Sequence, residues 1–136
     1  MAGTQVPVDL SRIIINEQSP EQMIWLKERD TDRQFPIVIG IFEAWAIERK
    51  VKEASIPRPM THDLLANVIR ELGGELQRVV ITDLDDGTFY AELYVHQGKQ
   101  DHRVDCRPSD AVALAVRLDV PIFVEETVFE KLTAGG

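Results

Sequence analysis

The dipeptide Asp86-Gly87 stands between two runs that read as strands, and it constrains the fold more than any other feature of the chain. Ahead of it, Glu75 to Thr82 is rich in β-branched residues. Behind it, Phe89, Ala91, Leu93 and Val95 alternate with Thr88, Tyr90, Glu92 and Tyr94 at period two. Asp-Gly supplies the positive-φ backbone of a tight turn, so the runs are expected to pair antiparallel through Asp83-Leu-Asp-Asp-Gly87. Gly98 permits a second turn into a strand around Asp101 to Cys106. Three consecutive strands argue against the βαβ periodicity of a doubly wound sheet.

The rest of the chain fits around this block. Val6, Val8 and Leu10 alternate before Ile13-Ile-Ile15, and Met23-Ile-Trp-Leu26 follows a polar connection, which predicts a long antiparallel pair. A third strand is expected over Gln34 to Ile39. Ile41 to about Lys52 reads as a helix with Ile41, Ala44, Trp45, Ile47 and Val51 on one broad stripe. After the stiff Ile56-Pro-Arg-Pro59 connection, Thr61 is the expected N-cap of a second helix. Its apolar stripe is Leu64, Leu65, Val68, Ile69 and Leu72, and Gly73-Gly74 stops it. Pro108-Ser109 opens a nearly all-apolar helix to Leu118, expected to be central. A short strand over Pro121 to Val124 and a helix from Glu125 to Leu132 close an α+β order βββααβββαβα with a mixed or mainly antiparallel sheet.

Composition removes several function classes. Fifteen Lys and Arg against 23 Asp and Glu give a net charge of −8, which counts against a nucleic-acid coat protein that binds through its overall field. Every apolar run is too short to span a membrane, and residues 1–5 lack the pattern of a secretory signal. The single cysteine, Cys106, excludes an intrachain disulfide and a Cys-rich zinc site. It fits a cytoplasmic location and reads as a buried, inert thiol.

Two helix starts concentrate chemistry. Asp105-Cys-Arg-Pro-Ser-Asp110 sets carboxylates at a strand end and in a helix first turn, with Arg107 between them. That grouping suits phosphate and a divalent ion. It equally suits capping, with Ser109 and Asp110 on helix amides and Arg107 paired to Asp105 or Asp110. Arg58-Pro-Met-Thr-His-Asp63 offers His62 for proton transfer near neutrality, or simply a hydrogen-bonded structural histidine. His96 and His102 flank a turn and are expected to face solvent. Asp83-Leu-Asp-Asp-Gly-Thr88 is a solvated turn or a weak divalent-ion site, without the spacing of an EF-hand. Glu43, at the start of the first helix, is a surface or capping group or a ligand. A glycine-rich phosphate loop is missing.

Taken together, Ile39-Gly-Ile-Phe-Glu-Ala-Trp-Ala-Ile47, Arg58-Pro-Met-Thr-His-Asp-Leu-Leu65, Asp83-Leu-Asp-Asp-Gly-Thr-Phe-Tyr90 and Asp105-Cys-Arg-Pro-Ser-Asp-Ala-Val-Ala-Leu-Ala115 closely resemble the bifunctional nuclease domain family, small prokaryotic and plant proteins described as having DNase and RNase activity. The resemblance runs over residues 6–132 as one domain, leaving 1–5 and 133–136 as flexible tails. It implies an α+β fold with strands wrapped around helices, a DNA or RNA substrate and a homo-oligomer such as a dimer. A consistent mechanism has Glu43, Asp105 or Asp110 position a divalent metal, Mg or Mn. His62, near Asp63, or a metal-bound hydroxide then activates water, and Arg58 or Arg107 stabilises the phosphoryl oxygens. The rivals are a noncatalytic regulatory or interaction module, and an enzyme acting on a small anionic metabolite.

Overall fold

A computed structural model describes residues 4–51 and 57–134, with only the backbone of Val51. The expected helix end at Lys52, the inward role of Val51, Ile56 in the proline connection, and residues 1–3 and 135–136 of the expected tails lie outside them. In chain order the elements are β1 Gln5–Ile14, β2 Gln22–Glu28, β3 Gln34–Ile39, α1 Ile41–Val51, α2 Thr61–Glu71, β4 Gly74–Asp85, β5 Thr88–Gln97, β6 Gln100–Cys106, α3 Pro108–Leu118, β7 Ile122–Glu125 and α4 Glu126–Thr133. The order βββααβββαβα is the one expected. Several boundaries differ: Gln5 and Thr133, expected in the tails, belong to β1 and α4, β4 runs from Gly74 through Asp85 and takes in the start of the expected turn, and Glu125 closes β7 instead of opening α4.

One seven-stranded sheet runs β3-β2-β1-β7-β4-β5-β6, and every neighbouring pair is antiparallel except β4 with β7. The exception follows from connectivity, because β7 returns after the hairpins and α3 to fill the gap between β1 and β4. The β4–β5 turn has Asp86 at φ 50° and Gly87 at φ 78°, the double positive-φ turn that suits the twist of a hairpin.

The sheet coils until β3 at one edge meets β5 near the other. Phe35 of β3 stacks on Phe89 of β5 with ring centroids 5.4 Å apart, although four strands separate them in the sheet, and Phe129 of α4 meets Phe35 edge-on at 5.5 Å. Inside the coil lies α3, packed against α1, α2, β4 and β5. Ala111, Val112, Ala113, Leu114 and Ala115 are all buried. The alanines let helices and sheet approach α3 closely, so this segment is central, as its composition predicts.

The α2 stripe faces the other way. Leu64 and Leu72 are 56% and 69% exposed, and Leu65 and Val68 are also exposed, while Asp63 and Ala66 are the buried residues of α2. A polar anchor on the inner side sets this orientation. The Asp63 carboxylate accepts from Arg49 of α1 (2.9 Å), Arg117 of α3 (2.8 Å) and the Met60 N–H (2.9 Å).

Candidate functional site

Three helices begin at one place. α1 follows Gly40, whose carbonyl accepts from the Ala44 N–H, and Glu43 folds back over this start. A methyl group at Gly40 would stand 2.6 Å from Glu43 Oε1, so glycine is what lets the carboxylate lie there. α2 begins after Met60, not after Thr61 as expected. Asp63 reaches back to the Met60 N–H and fixes the turn that carries His62. α3 begins after Arg107 with Pro108 in its first position, where a missing N–H costs nothing.

Arg107 and Asp110 join the three starts. Arg107 Nε and Nη2 each lie 2.9 Å from an oxygen of Asp110, and Nη1 lies 3.5 Å from Glu43 Oε1. His62 Nε2 is 3.0 Å from Asp110 Oδ1. Burial pushes the Asp110 carboxyl up, but the hydrogen bonds from Arg107 and His62 outweigh it and hold the group below the usual carboxylate range. An ionised carboxylate only accepts, so His62 donates through Nε2, and in the neutral form of the ring the lone pair falls on Nδ1. The three helix starts also contribute about half a positive charge each, a local field that opposes the acidity of the whole chain.

An open groove of about 520 Å³ runs from this cluster. Its walls include β3 from Pro36 to Ile39, the β4–β5 turn at Gly87 and Thr88, and Glu43, Arg107 and Ser109. His62 and Asp110 adjoin it through Arg107 without lining it.

The remaining expected site residues are dispersed. Asp105 is exposed on the edge strand β6, with its side chain unpaired among the described residues. Arg58 is exposed and likewise without a described partner. Asp63 is 5% exposed, and its two arginines give it a positioning role. Burial raises its carboxyl, but the Met60 N–H and then the arginines bring it below the ordinary value. His96 and His102 are partly exposed and engage Asp101 and Gln97 across the β5–β6 hairpin. Asp83 is tied to Lys131 of α4 at 2.7 Å. Cys106 is half-buried, not fully buried as expected; partial burial, followed by Asp110, Asp105 and Glu92, pushes its thiol up to about 12, which fits an inert group.

Among the described residues no group of three or more His, Cys, Asp or Glu side chains could hold a metal ion. Arg107 holds Asp110 and lies beside Glu43, so these residues do not form a ready-made metal cage. No described helix is long and apolar enough to cross a membrane.

Residues 24–134 match the family described as bifunctional nuclease domain. The chain belongs to the bifunctional nuclease domain family. A relative is an uncharacterised protein of Mycobacterium tuberculosis, strain ATCC 25618 / H37Rv, 43% identical over 116 residues, which are 85% of this chain and 69% of that protein. Bifunctional nuclease 2 of Arabidopsis thaliana is 30% identical over 114 residues, covering 79% of this chain and 34% of the plant protein. Bifunctional nuclease 1 of Oryza sativa subsp. japonica is 26% identical over 118 residues, covering 84% and 36%. The chain thus spans about a third of these plant relatives. In this bifunctional nuclease domain the matched region contains all three helix starts and the groove walls except Pro20 and Glu21.

Two elements of the site were not recognised in the sequence. Arg49 and Arg117 lie 14 and 54 residues from Asp63, and no local spacing announces that they meet it. By sequence Ser109 reads only as a cap, yet it is a buried residue on the groove wall.

Proposed function

We propose that this chain hydrolyses phosphodiester bonds in DNA, RNA or both, with the backbone phosphate lying in the groove beside Arg107. The carrying observation is the meeting of three helix N-termini on the Arg107–Asp110 pair at the head of an open groove. Membership of the family supports the same activity. Exposed Arg107 stabilises the non-bridging oxygens as charge develops on them. His62, held by Asp110 through Nε2, takes a proton from the attacking water at Nδ1. The water oxygen bonds to phosphorus, and the departing oxygen leaves with a proton from solvent. The substrate has to pass the Arg107 side chain to meet His62.

The divalent ion expected from the sequence, Mg or Mn, would be held by Glu43 or Asp110 alone and would supply charge stabilisation to the phosphoryl oxygens. No step is routed through it. The deciding experiment is a metal-controlled cleavage assay on highly purified protein with single- and double-stranded DNA and RNA. Arg107→Ala and His62→Ala are expected to lower cleavage at least about a hundredfold with folding retained. Equal cleavage by both variants and wild type would mark a contaminant and sink the reading, and no cleavage by any of them would favour the interaction module.

We assign the exposed stripe of Leu64, Leu65, Val68 and Leu72 to a second copy, since pairing the same stripe of two copies about a twofold axis would take this apolar surface out of water. Light scattering is expected to give about twice 15.4 kDa. Leu64→Glu with Leu72→Glu is expected to return the protein to a monomer, and a monomeric wild type would refute the assignment.

A further inference from the structure

The first turn of α3 holds donors that the mechanism above does not use. Ser109 is 5% exposed and lines the groove, and its hydroxyl makes no hydrogen bond with any described residue. The rest of the residue is packed away, so its unpaired hydroxyl is reached from the groove and is open to a ligand there. Beside it, the N–H groups of Ser109 and Asp110 belong to the part of a helix that has no acceptor of its own. No side chain caps them, because the Asp110 carboxylate is taken by Arg107 and His62. Arg107 adds a third kind of donor. Its Nε and Nη2 are committed to Asp110, whereas Nη1 has only Glu43 Oε1 at 3.5 Å and forms no hydrogen bond.

The shape of this donor set selects its ligand. A hydroxyl, two backbone N–H groups and a guanidinium N–H are more donors than a planar two-oxygen group can use, and they suit an anion with several oxygens out of one plane. A planar carboxylate offers two acceptors, whereas a phosphate group offers more in a tetrahedral array. Two acidic side chains stand close by, but Asp110 is matched by Arg107 and His62, and Glu43 stands across from Arg107.

We propose that the Ser109 hydroxyl, the N–H groups of Ser109 and Asp110, and Nη1 of Arg107 form a cradle for one phosphate group. Ser109 is the contact that fixes its depth in the groove. The proposal rests on the phosphodiester reading of the same groove for the larger molecule that carries the phosphate.

The test is a titration of the ¹⁵N-labelled full chain with inorganic phosphate and, separately, with dimethyl phosphate. The amide signals of Ser109 and Asp110 are expected to move most. Ser109→Ala is expected to weaken binding about tenfold, and Ser109→Thr, which keeps the hydroxyl, to stay within about twofold of wild type. Tighter binding of inorganic phosphate assigns the cradle to a terminal phosphate. Tighter binding of dimethyl phosphate assigns it to an internal linkage, and either result supports the site. Wild-type affinity in Ser109→Ala, failure of both probes to bind, or shifts confined to residues outside the first turn of α3 would overturn it. Binding is read without turnover, so a wild type that binds phosphate through Ser109 but cleaves nothing removes the nuclease reading and leaves the cradle. Cleavage with unchanged KM in Ser109→Ala removes the cradle and leaves the nuclease reading.

Discussion

Arg107 Nε and Nη2 lie 2.9 Å from Oδ2 and Oδ1 of Asp110, so one edge of a guanidinium is committed to a carboxylate one turn ahead in the same helix start. The same Asp110 holds His62 from α2, and the same Arg107 faces Glu43 from α1. One ion pair therefore registers three helices that are far apart in sequence. It also makes a cation part of the head of the groove in a chain of net charge −8.

Arg107→Lys tests whether that two-pronged grip is needed. Lysine keeps the charge but cannot hold both oxygens of Asp110 while presenting a further donor. Cleavage measured as kcat/KM is expected to fall about tenfold or more. Stability should change by less than about 1 kcal/mol, because Arg107 is 63% exposed and an exposed pair contributes little. A lysine variant as active as wild type would show that charge alone is sufficient.

Gly40→Ala should separate Glu43 from the site without unfolding the protein. The added methyl would meet Glu43 Oε1 at 2.6 Å, and the flexible carboxylate is the atom free to move. The swing takes it away from Arg107. Cleavage is expected to drop severalfold, with a stability loss below about 1 kcal/mol at this helix start. Glu43→Gln in the same assay shows whether the charge or only the position matters, and identical activity in all three proteins would remove Glu43 from the site.

The sequence made the hairpin, the element order and the centrality of α3 legible because each rests on local signals: Asp86-Gly87, period-two alternation and an unbroken apolar run over Ala111 to Ala115. The direction of α2 was not legible. Its apolar stripe gives it a clear amphipathic pattern, but the inward side is chosen by Asp63 meeting Arg49 and Arg117, and such a meeting leaves no spacing to read. The site shows the same division. His62, Arg107, Asp110 and Glu43 stand out as polar groups at helix starts, and the fold brings them together. Asp105 stands out equally by sequence but lies on the exposed edge strand.

Cys106 should behave as a shielded thiol. Burial first, then Asp110, Asp105 and Glu92, hold its pKa at about 12, so only about one molecule in ten thousand carries the thiolate at pH 8. Iodoacetamide labelling of the native protein at pH 8 is expected to be slow and to become fast in denaturant. Rapid native labelling would show that the thiol is open to solvent and ionised.

Asp63→Asn should cost stability more than any other single change at the site. Asp63 is buried with two arginines and the Met60 N–H, and an amide in its place leaves Arg49 and Arg117 without their counter-charge, a loss of about 3 kcal/mol at pH 7. The carboxyl titrates below its ordinary 3.8 in the fold, so the wild-type advantage is complete above about pH 4 and is lost as acid protonates the folded carboxyl. Urea unfolding from pH 7 to pH 3 is therefore expected to show a wide gap between wild type and Asp63→Asn that narrows only below pH 4. Cleavage should fall with it even where the variant stays folded, because the turn that Asp63 fixes carries His62. A variant with a pH-independent gap would show that Asp63 acts through shape, and one with no gap would show that the two arginines do not depend on it.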